Sequence, residues 1–411
     1  MACCFLILLF VVDALSYDKH HPNADRLYRV IDGGDAKTAP VLAPTMKDHL
    51  PGVAQVTRLM NLYRALARYG EVRDYEPRFY WADANVFEVF HFPLVQGDPK
   101  TALVEPNTMV LTEAMVKKYF GDTDPIGQMM TYGPETFRVT GILKDPQMRS
   151  HIRPDFIVSA SGRSGQVMTE WFFNTAYTYI VLGAGVDAGQ FQTALSEFAQ
   201  THGDRHAPRD FAVQPILDIH LYSDLTDEAE VNVQYLYVFG SIAVLILLIA
   251  CINFVNLSTA RSAYRAREVG ARKVLGARRW QLVGQFLGES VIVSLIAFVL
   301  AISLFEMLLP VFNMLFDTSL SVGIFSREWM VCTGVGIALL VGVIAGSYSA
   351  FFLSSFSPIQ AIRGTLKTGT LNAVLRQGLV VFQFVISTAL MVCTAIVYFQ
   401  LDYIQAKNLG F

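Results

Sequence analysis

The side chains able to ligate a metal or act as nucleophiles are eight histidines and five cysteines in 411 residues. All eight histidines fall between residues 20 and 220. His202 and His206 stand four apart, the spacing that puts two zinc ligands on one helical face. Gly203 and Pro208 flank them and no glutamate follows His202, so a solvated loop is expected rather than a metal site. His20-His21-Pro22 reads as a loop following an apolar run. The carboxylates form no recognisable acid–base pair, and no Gly-x-Ser-x-Gly elbow occurs. Cys3, Cys4, Cys251, Cys332 and Cys393 all lie in apolar runs and read as small hydrophobes. Residues 16–234 contain no cysteine and so no disulfide framework. No Cys-x-x-Cys spacing occurs, and no Gly-x-x-x-x-Gly-Lys-[Ser/Thr] loop is present to cradle a phosphate. This chain is therefore expected to have no catalytic residue and no metal ligand, and it does not hydrolyse ATP through a P-loop.

The one concentrated chemical feature is basic. Residues 258–285 carry Arg261, Arg265, Arg267, Arg272, Lys273, Arg278 and Arg279 against the single acid Glu268. Glu268 and Arg272 are four apart in the order that favours a helical ion pair. Val269, Val274 and Leu275 are the apolar members, and Gly270 and Gly276 would interrupt or end a short helix. Such a helix along a membrane face suits docking of a soluble partner. The same composition also suits an anchor for lipid headgroups.

The elements that position this cluster are apolar. Hydrophobic residues make up 53% of the chain and charged residues 16%, where soluble proteins average nearer one quarter charged. Mean hydropathy is +0.39. A net charge of −3 gives no global attraction to nucleic acid. Residues 235–257, 329–353 and 377–401 lack any charge, as do residues 290–305, which extend to a span over 286–312. A crossing helix needs about 20 such residues. Residues 2–12 are apolar but short, so residues 1–15 are expected to be the end of a first spanning helix whose start lies outside this chain, with Asp13 at the outer interface. The basic loop 258–285, and the loop 354–376 with Arg363, Lys367 and Arg376, belong in the cytoplasm by the positive-inside rule. The short loop 313–328 and residues 16–234 then lie outside, and residues 402–411 form an outer-side end. Asn253, Asn256, Glu289 and Glu306 near helix ends are expected at interfaces or in helix–helix hydrogen bonds. Gly342 and Gly346, four apart, would admit a closely packed helix.

Residues 16–234 read as a mixed α+β domain. Thr112 can cap a helix over residues 113–120 that ends at Gly121. Residues 124–127 read as a turn. Residues 137–143 alternate as a half-buried strand, and residues 177–182 and 211–217 are further strands.

The stretch Glu268-Val269-Gly270-Ala271-Arg272-Lys273-Val274-Leu275-Gly276-Ala277, preceded by residues 251–258, resembles the signature of the FtsX-like permease family of ABC transporters. Residues 15–18 through 29–30, and 110–113 through 127–128, resemble the periplasmic core domain of MacB-type permeases. The resemblance covers essentially the whole chain. It implies an α-helical membrane protein of the bacterial cytoplasmic membrane with a large extracytoplasmic mixed α+β domain in two subdomains. It further implies a type VII permease that converts ATP hydrolysis by a separate cytoplasmic ATPase dimer, which would hold the ATP and Mg, into movement of the outer domain. Drugs, peptides or lipoproteins are the substrates so implied. Further implied partners are a second permease half or copy, a periplasmic adaptor protein and membrane lipid. The residues matching the ATPase contact are Glu268, Val269, Gly270, Arg272, Lys273, Leu275, Gly276 and Ala277. The family also contains regulators that control a cell-wall hydrolase without moving a substrate. A fifth helix over 377–401 departs from the short permeases and resembles the start of a second half, which makes a fragment of a longer permease the expectation.

Overall fold

The computed structural model describes residues 1–61, 64–145, 149–163, 165–202, 209–223, 225, 232–316, 327–355 and 370–406. The His202–His206 spacing, the centres of loops 313–328 and 354–376, and residues 407–411 thus lie outside the described residues. Two compact units form: Asp13–Tyr235, and Met1–Val12 together with Leu236–Phe411.

In the first unit the elements run β1 (Leu27–Asp32), α2 (Leu42–His49), β2 (Val53–Met60), β3 (Ala65–Tyr69), β4 (Val72–Glu76), β5 (Phe79–Ala82), α3 (Val86–Val89) and β6 (Leu94–Gln96). They continue with β7 (Thr108–Thr112), α4 (Glu113–Tyr119), β8 (Met129–Tyr132), β9 (Glu135–Leu143), β10 (Phe156–Ser159), α5 (Gln166–Thr169), β11 (Tyr177–Leu182), α6 (Ala188–His202), β12 (Phe211–Pro215) and α7 (Ile216–Tyr222). The strands join in one sheet in the order β12-β1-β11-β2-β5-β10-β7-β9-β8-β3-β4, with β6 on β9. The two parallel pairs are β5/β10 and β7/β9. Central strands β7 and β10 are buried along their whole length, with apolar stretches Met109-Val110-Leu111 and Phe156-Ile157-Val158 rather than alternation. Alternation survives in the first part of β9, where Phe137 and Val139 point inward.

Three apolar clusters fill the unit. One sits on the β5–β3 side around Phe79, Phe137 and Phe156. A second centres on Leu27, Phe90 and Tyr179. The third lies under α6, whose Phe191, Leu195, Phe198 and Ala199 repeat at helical spacing. Thr112 caps α4 by accepting from the Met115 N–H (3.4 Å), and Gly121 follows in the left-handed region at φ +59°. The expected strand over 211–217 is corrected. It ends at Pro215, and Ile216, Ile219 and His220 continue as the buried face of α7. Proline provides no ladder donor and leads into that helix.

Between β2 and β5 only Leu59↔Ala82 and Met60↔Trp81 pair, as few as between β3 and β8. Arg58 reinforces this junction. Its Nε and Nη2 bind both oxygens of Asp83 (2.9 and 2.7 Å), its backbone N–H donates to the same carboxylate (2.9 Å), and Nη1 donates to the Pro40 carbonyl (2.9 Å).

The second unit holds α1 (Ala2–Ala14, as far as Val12), α8 (Val233–Val274, from Leu236), α9 (Arg279–Phe316), α10 (Arg327–Ser355) and α11 (Thr370–Ala406). Among the described residues three helices are long and apolar enough to cross a membrane, over Val233–Leu257, Arg279–Leu315 and Gln377–Ile404. Ala2–Ala14 and Val331–Ser347 are shorter apolar helices. Gly342 and Gly346 lie against α9. A Cβ on Gly342 would stand 2.9 Å from Val291 Cα, and one on Gly346 2.6 Å from Ser290 Cβ. Ser294 Oγ donates to the Ala338 carbonyl (2.7 Å), tying the same two helices.

Two outcomes are expected. Arg58→Lys cannot fork onto Asp83 and should destabilise the full chain by about 1–3 kcal/mol, measured as a lowered unfolding midpoint in detergent. Gly342→Ala or Gly346→Ala should cost about 1–3 kcal/mol by overpacking, whereas Gly336→Ala, which meets open space, should cost nothing of that kind.

Candidate functional site

The motif Glu268–Ala277 occupies the end of one helix and the turn after it. The expected loop 258–285, with a short separate helix, is corrected: α8 runs unbroken to Val274, and α9 starts at Arg279. A helix of 42 residues is about 63 Å long, twice the roughly 30 Å hydrocarbon layer. Gly270 does not interrupt it. Glycine in a helix costs about 1 kcal/mol, and here its neighbour Val269 is fully buried against Leu282, Val283 and Phe286 of α9 and Ala350 of α10.

The helix ends at Gly276, φ +95°. The Gly276 N–H bonds the Lys273 carbonyl (3.1 Å) and the Ala277 N–H bonds the Arg272 carbonyl (3.0 Å), the paired bonds of a Schellman stop. Two residues later Gln281 Oε1 accepts the Arg278 N–H (2.9 Å), opening α9 with the returning half of a capping box. Arg272 ties the two helices together. Its Nη2 lies 2.7 Å from Glu268 Oε1, and its Nη1 donates to Gln285 Oε1 (2.6 Å). Burial, with Arg279 nearby, holds the Lys273 ammonium below its ordinary range. The outer surface of this hairpin presents Val274, Leu275 and Trp280 to solvent, with Leu275 87% and Trp280 75% exposed. Large apolar side chains this exposed beside Arg278 and Arg279 make the hairpin tip a candidate contact surface.

A second constellation lies at the root of the outer unit, and sequence spacing gave no sign of it. Asp18, fully buried and at φ +57°, donates its N–H to the Arg149 carbonyl (2.8 Å). Its Oδ1 accepts from Ser150 Oγ (2.6 Å) and its Oδ2 meets His151 Nδ1 (2.9 Å). His151 Nε2 meets the Tyr179 hydroxyl (2.8 Å). His21 Nε2 stands 3.5 Å from Oδ1, and its Nδ1 accepts the His91 N–H (3.1 Å). His20 and His21 lie in the expected loop, but the His21 ring is buried in it, with Phe90 and Phe92 packed edge-on against it. Burial would raise the Asp18 carboxyl, but the charge of His151 and hydrogen bonds from His151, His21 and Ser150 hold it well below the usual carboxylate range. Asp13 is buried and pairs with Arg149, whose pKa burial and the Arg153 charge press down to about 10. Arg153 bonds the Tyr17 hydroxyl, and the Tyr17 ring stacks on His220 at 3.4 Å.

The carboxylate–imidazole–hydroxyl order of Asp18, His151 and Tyr179 has the form of a catalytic relay. Tyr179 is 1% exposed inside an apolar cluster, so no substrate atom reaches its oxygen. Its chemistry is structural: it ties residues 13–21 to β11 and to the segment 149–154. One trace of the cluster was readable, since an aspartate before a His-His-Pro turn is a residue that tolerates a left-handed backbone.

Comparison with known proteins agrees with this layout. The profile of the MacB-like periplasmic core domain matches residues 1–198, and that of the FtsX-like permease C-terminal region matches residues 240–358. The macrolide export ATP-binding/permease protein MacB of Bdellovibrio bacteriovorus is 27% identical over 260 residues, 62% of this chain and 38% of that protein. The ABC transporter permease YknZ of Bacillus subtilis is 26% identical, over 62% of this chain and 61% of its own. The pyoverdine export ATP-binding/permease protein PvdT of Pseudomonas fluorescens is 24% identical, over 76% and 47%. The chain thus spans between about 38% and 61% of the length of these relatives. Among solved structures, the periplasmic region of MacB from Actinobacillus actinomycetemcomitans aligns at TM-score 0.36 and 17% identity, covering 47% of this chain and 90% of that one. The extracellular domain of YknZ aligns at TM-score 0.35 and 16% identity, covering 46% and 99%. With an outer α+β domain that matches the one profile and apolar helices around the hairpin motif that match the other, the chain belongs to the FtsX-like permeases that carry a MacB-like periplasmic core domain.

Proposed function

We propose that this chain is the permease subunit of an ABC transporter, and that the α8–α9 hairpin receives the movement of a separate cytoplasmic ATPase. One observation carries this reading: Leu275 and Trp280 are exposed at the tip of a hairpin that the Gly276 stop, the Gln281 cap and Arg272 make stiff. A stiff tip with apolar knobs suits a contact that must push. Ion pairs at such a surface exposure contribute little alone, so the apolar knobs supply most of the affinity and the arginines its orientation. The relatives MacB and PvdT are named as joint ATP-binding and permease proteins. These 411 residues contain no P-loop, which supports a reading in which a separate ATPase holds the nucleotide and Mg. The basic hairpin is then cytoplasmic and residues 16–234 lie on the outer side of the bacterial cytoplasmic membrane. Movement along α8 would reach the outer domain, which extracts or exports a drug, peptide or lipoprotein substrate there with a second permease half or copy and a periplasmic adaptor.

The test is affinity purification of the full-length native permease in mild detergent, with mass spectrometry of what accompanies it. A P-loop ATPase should be recovered. Leu275→Glu with Trp280→Glu should reduce its recovery at least about tenfold. Glu268→Ala with Arg272→Ala should leave much of the binding but reduce permease-stimulated ATP hydrolysis. Recovery of the chain with no ATPase, or undiminished recovery with the tip variant, would overturn the proposal.

A further inference from the structure

Four of the eight histidines, His20, His21, His91 and His151, gather around the fully buried Asp18 carboxylate where the chain enters the first unit. The hydrogen bonds define their protonation. His21 Nδ1 accepts from a backbone N–H, so it carries no proton, and the ring is neutral with its hydrogen on Nε2 toward Asp18. A second proton on that ring would point at the N–H of His91. The ring of His20 lies 4.0 Å from that of His21. His20 Nε2 is buried and accepts no hydrogen bond among the described residues. It faces a cavity of about 80 Å³ lined mainly by apolar groups, including Phe92, Leu143 and Ile152.

The counter-charges available here are few. Asp18 supplies one negative charge, already shared with His151 and Ser150. Lys144 and Asp145, at the end of β9, line the cavity with opposite charges. Arg149 and Asp13 neutralise each other, and Phe90 and Phe92 bring none. Asp145 Oδ1 is taken up by the Ala114 N–H (2.8 Å), so added protons on His20 and His21 meet carboxylates that are already engaged.

We propose that this cluster is an acid-released latch, in which protonation of His20 and His21 frees residues 13–21 from the segment 149–154 while the sheet stays folded. The proposal goes beyond the permease reading, because it concerns the outer unit alone and does not depend on an ATPase. Burial, with the His21 ring beside it, pushes His20 down to about 4, and burial also lowers His21 against the pull of Asp18. Both rings are favoured neutral when folded. Their contribution is complete above the ordinary histidine value of about 6.5 and is lost as pH falls from there toward about 4. The lowered Asp18 carboxyl loses its own contribution only at still lower pH, below its ordinary value of about 3.9. The release thus lies in a window where histidines titrate and Asp18 stays charged.

Hydrogen–deuterium exchange of the full chain in lipid nanodiscs, at about pH 7.5 and about pH 5, tests this after correction for the intrinsic rate. Residues 13–21 should exchange about tenfold faster at the lower pH, with β7 and β10 unchanged. His20→Gln with His21→Gln should keep the segment protected at both values. Equal protection of the wild type at both values, joint loss in β7 and β10, or acid release undiminished in the double variant would each overturn the latch. Should the double variant open already at neutral pH, His20→Gln alone decides. It leaves the Asp18–His21 contact in place, so its release must shift to lower pH, and an unshifted midpoint overturns the proposal.

Discussion

A buried charge must be surrounded by donors or it will not stay charged, and the root of the outer domain is built around that constraint at Asp18. Three side chains and a strained backbone serve it. Ser150 and His151 donate to its oxygens, His21 stands at the edge of hydrogen-bond range, and the left-handed turn at Asp18 brings its own N–H to Arg149. His151 links the carboxylate to the Tyr179 hydroxyl through its other ring nitrogen. Tyr179 sits in β11, paired on both sides by β1 and β2. The charge is therefore held by the sheet, and the segment leading out of α1 is held by the charge.

The hairpin of α8 and α9 reaches stiffness by other means. Within an apolar layer every backbone donor must be met inside the helix, so a crossing helix resists bending. The weak point of such a pair is the turn. Here the turn spends its orphan groups on itself: two backbone bonds close α8 and a glutamine side chain opens α9. Arg272 then bridges both helices one turn from the tip. Only Gly276 has a backbone conformation that other residues rarely adopt, so the geometry of the turn rests on one position.

Local chemistry was legible in the sequence where one element decides it. The Thr112 cap, the alternation of the first part of β9 and the strand at residues 177–182 depend on neighbours within a few residues and stand as expected, whereas the end of β9 is buried on both faces. The continuity of α8 was not legible. Gly270 and the run of charges look like punctuation, and only the packing of Val269 on α9, from a different helix, outweighs them. The root cluster was less legible still. Asp18 and His151 are separated by 133 positions, and no periodicity reports on such a distance. Pro22 marked the turn, but not what the turn encloses.

The position of that cluster bears on where the outer domain can yield. Its sheet narrows to two residue pairs between β2 and β5. On one side lie β12, β1, β11 and β2, and on the other the remaining strands. Arg58 and Asp83 fasten this junction from within the sheet. The Asp18 cluster fastens it from the root, because Asp18 precedes β1 and Tyr179 lies in β11, whereas Ser150 and His151 belong to the connection between β9 and β10. A narrow seam with one clamp is a hinge, and a seam with two is closed. Loss of either clamp leaves the halves joined by four residues of ladder, the other clamp, the Asn85–Val56 bond and the apolar cluster around Leu27, Phe90 and Tyr179, which spans the seam. Any change of angle between the halves would have to slide that close-packed cluster, which the two clamps hold in register.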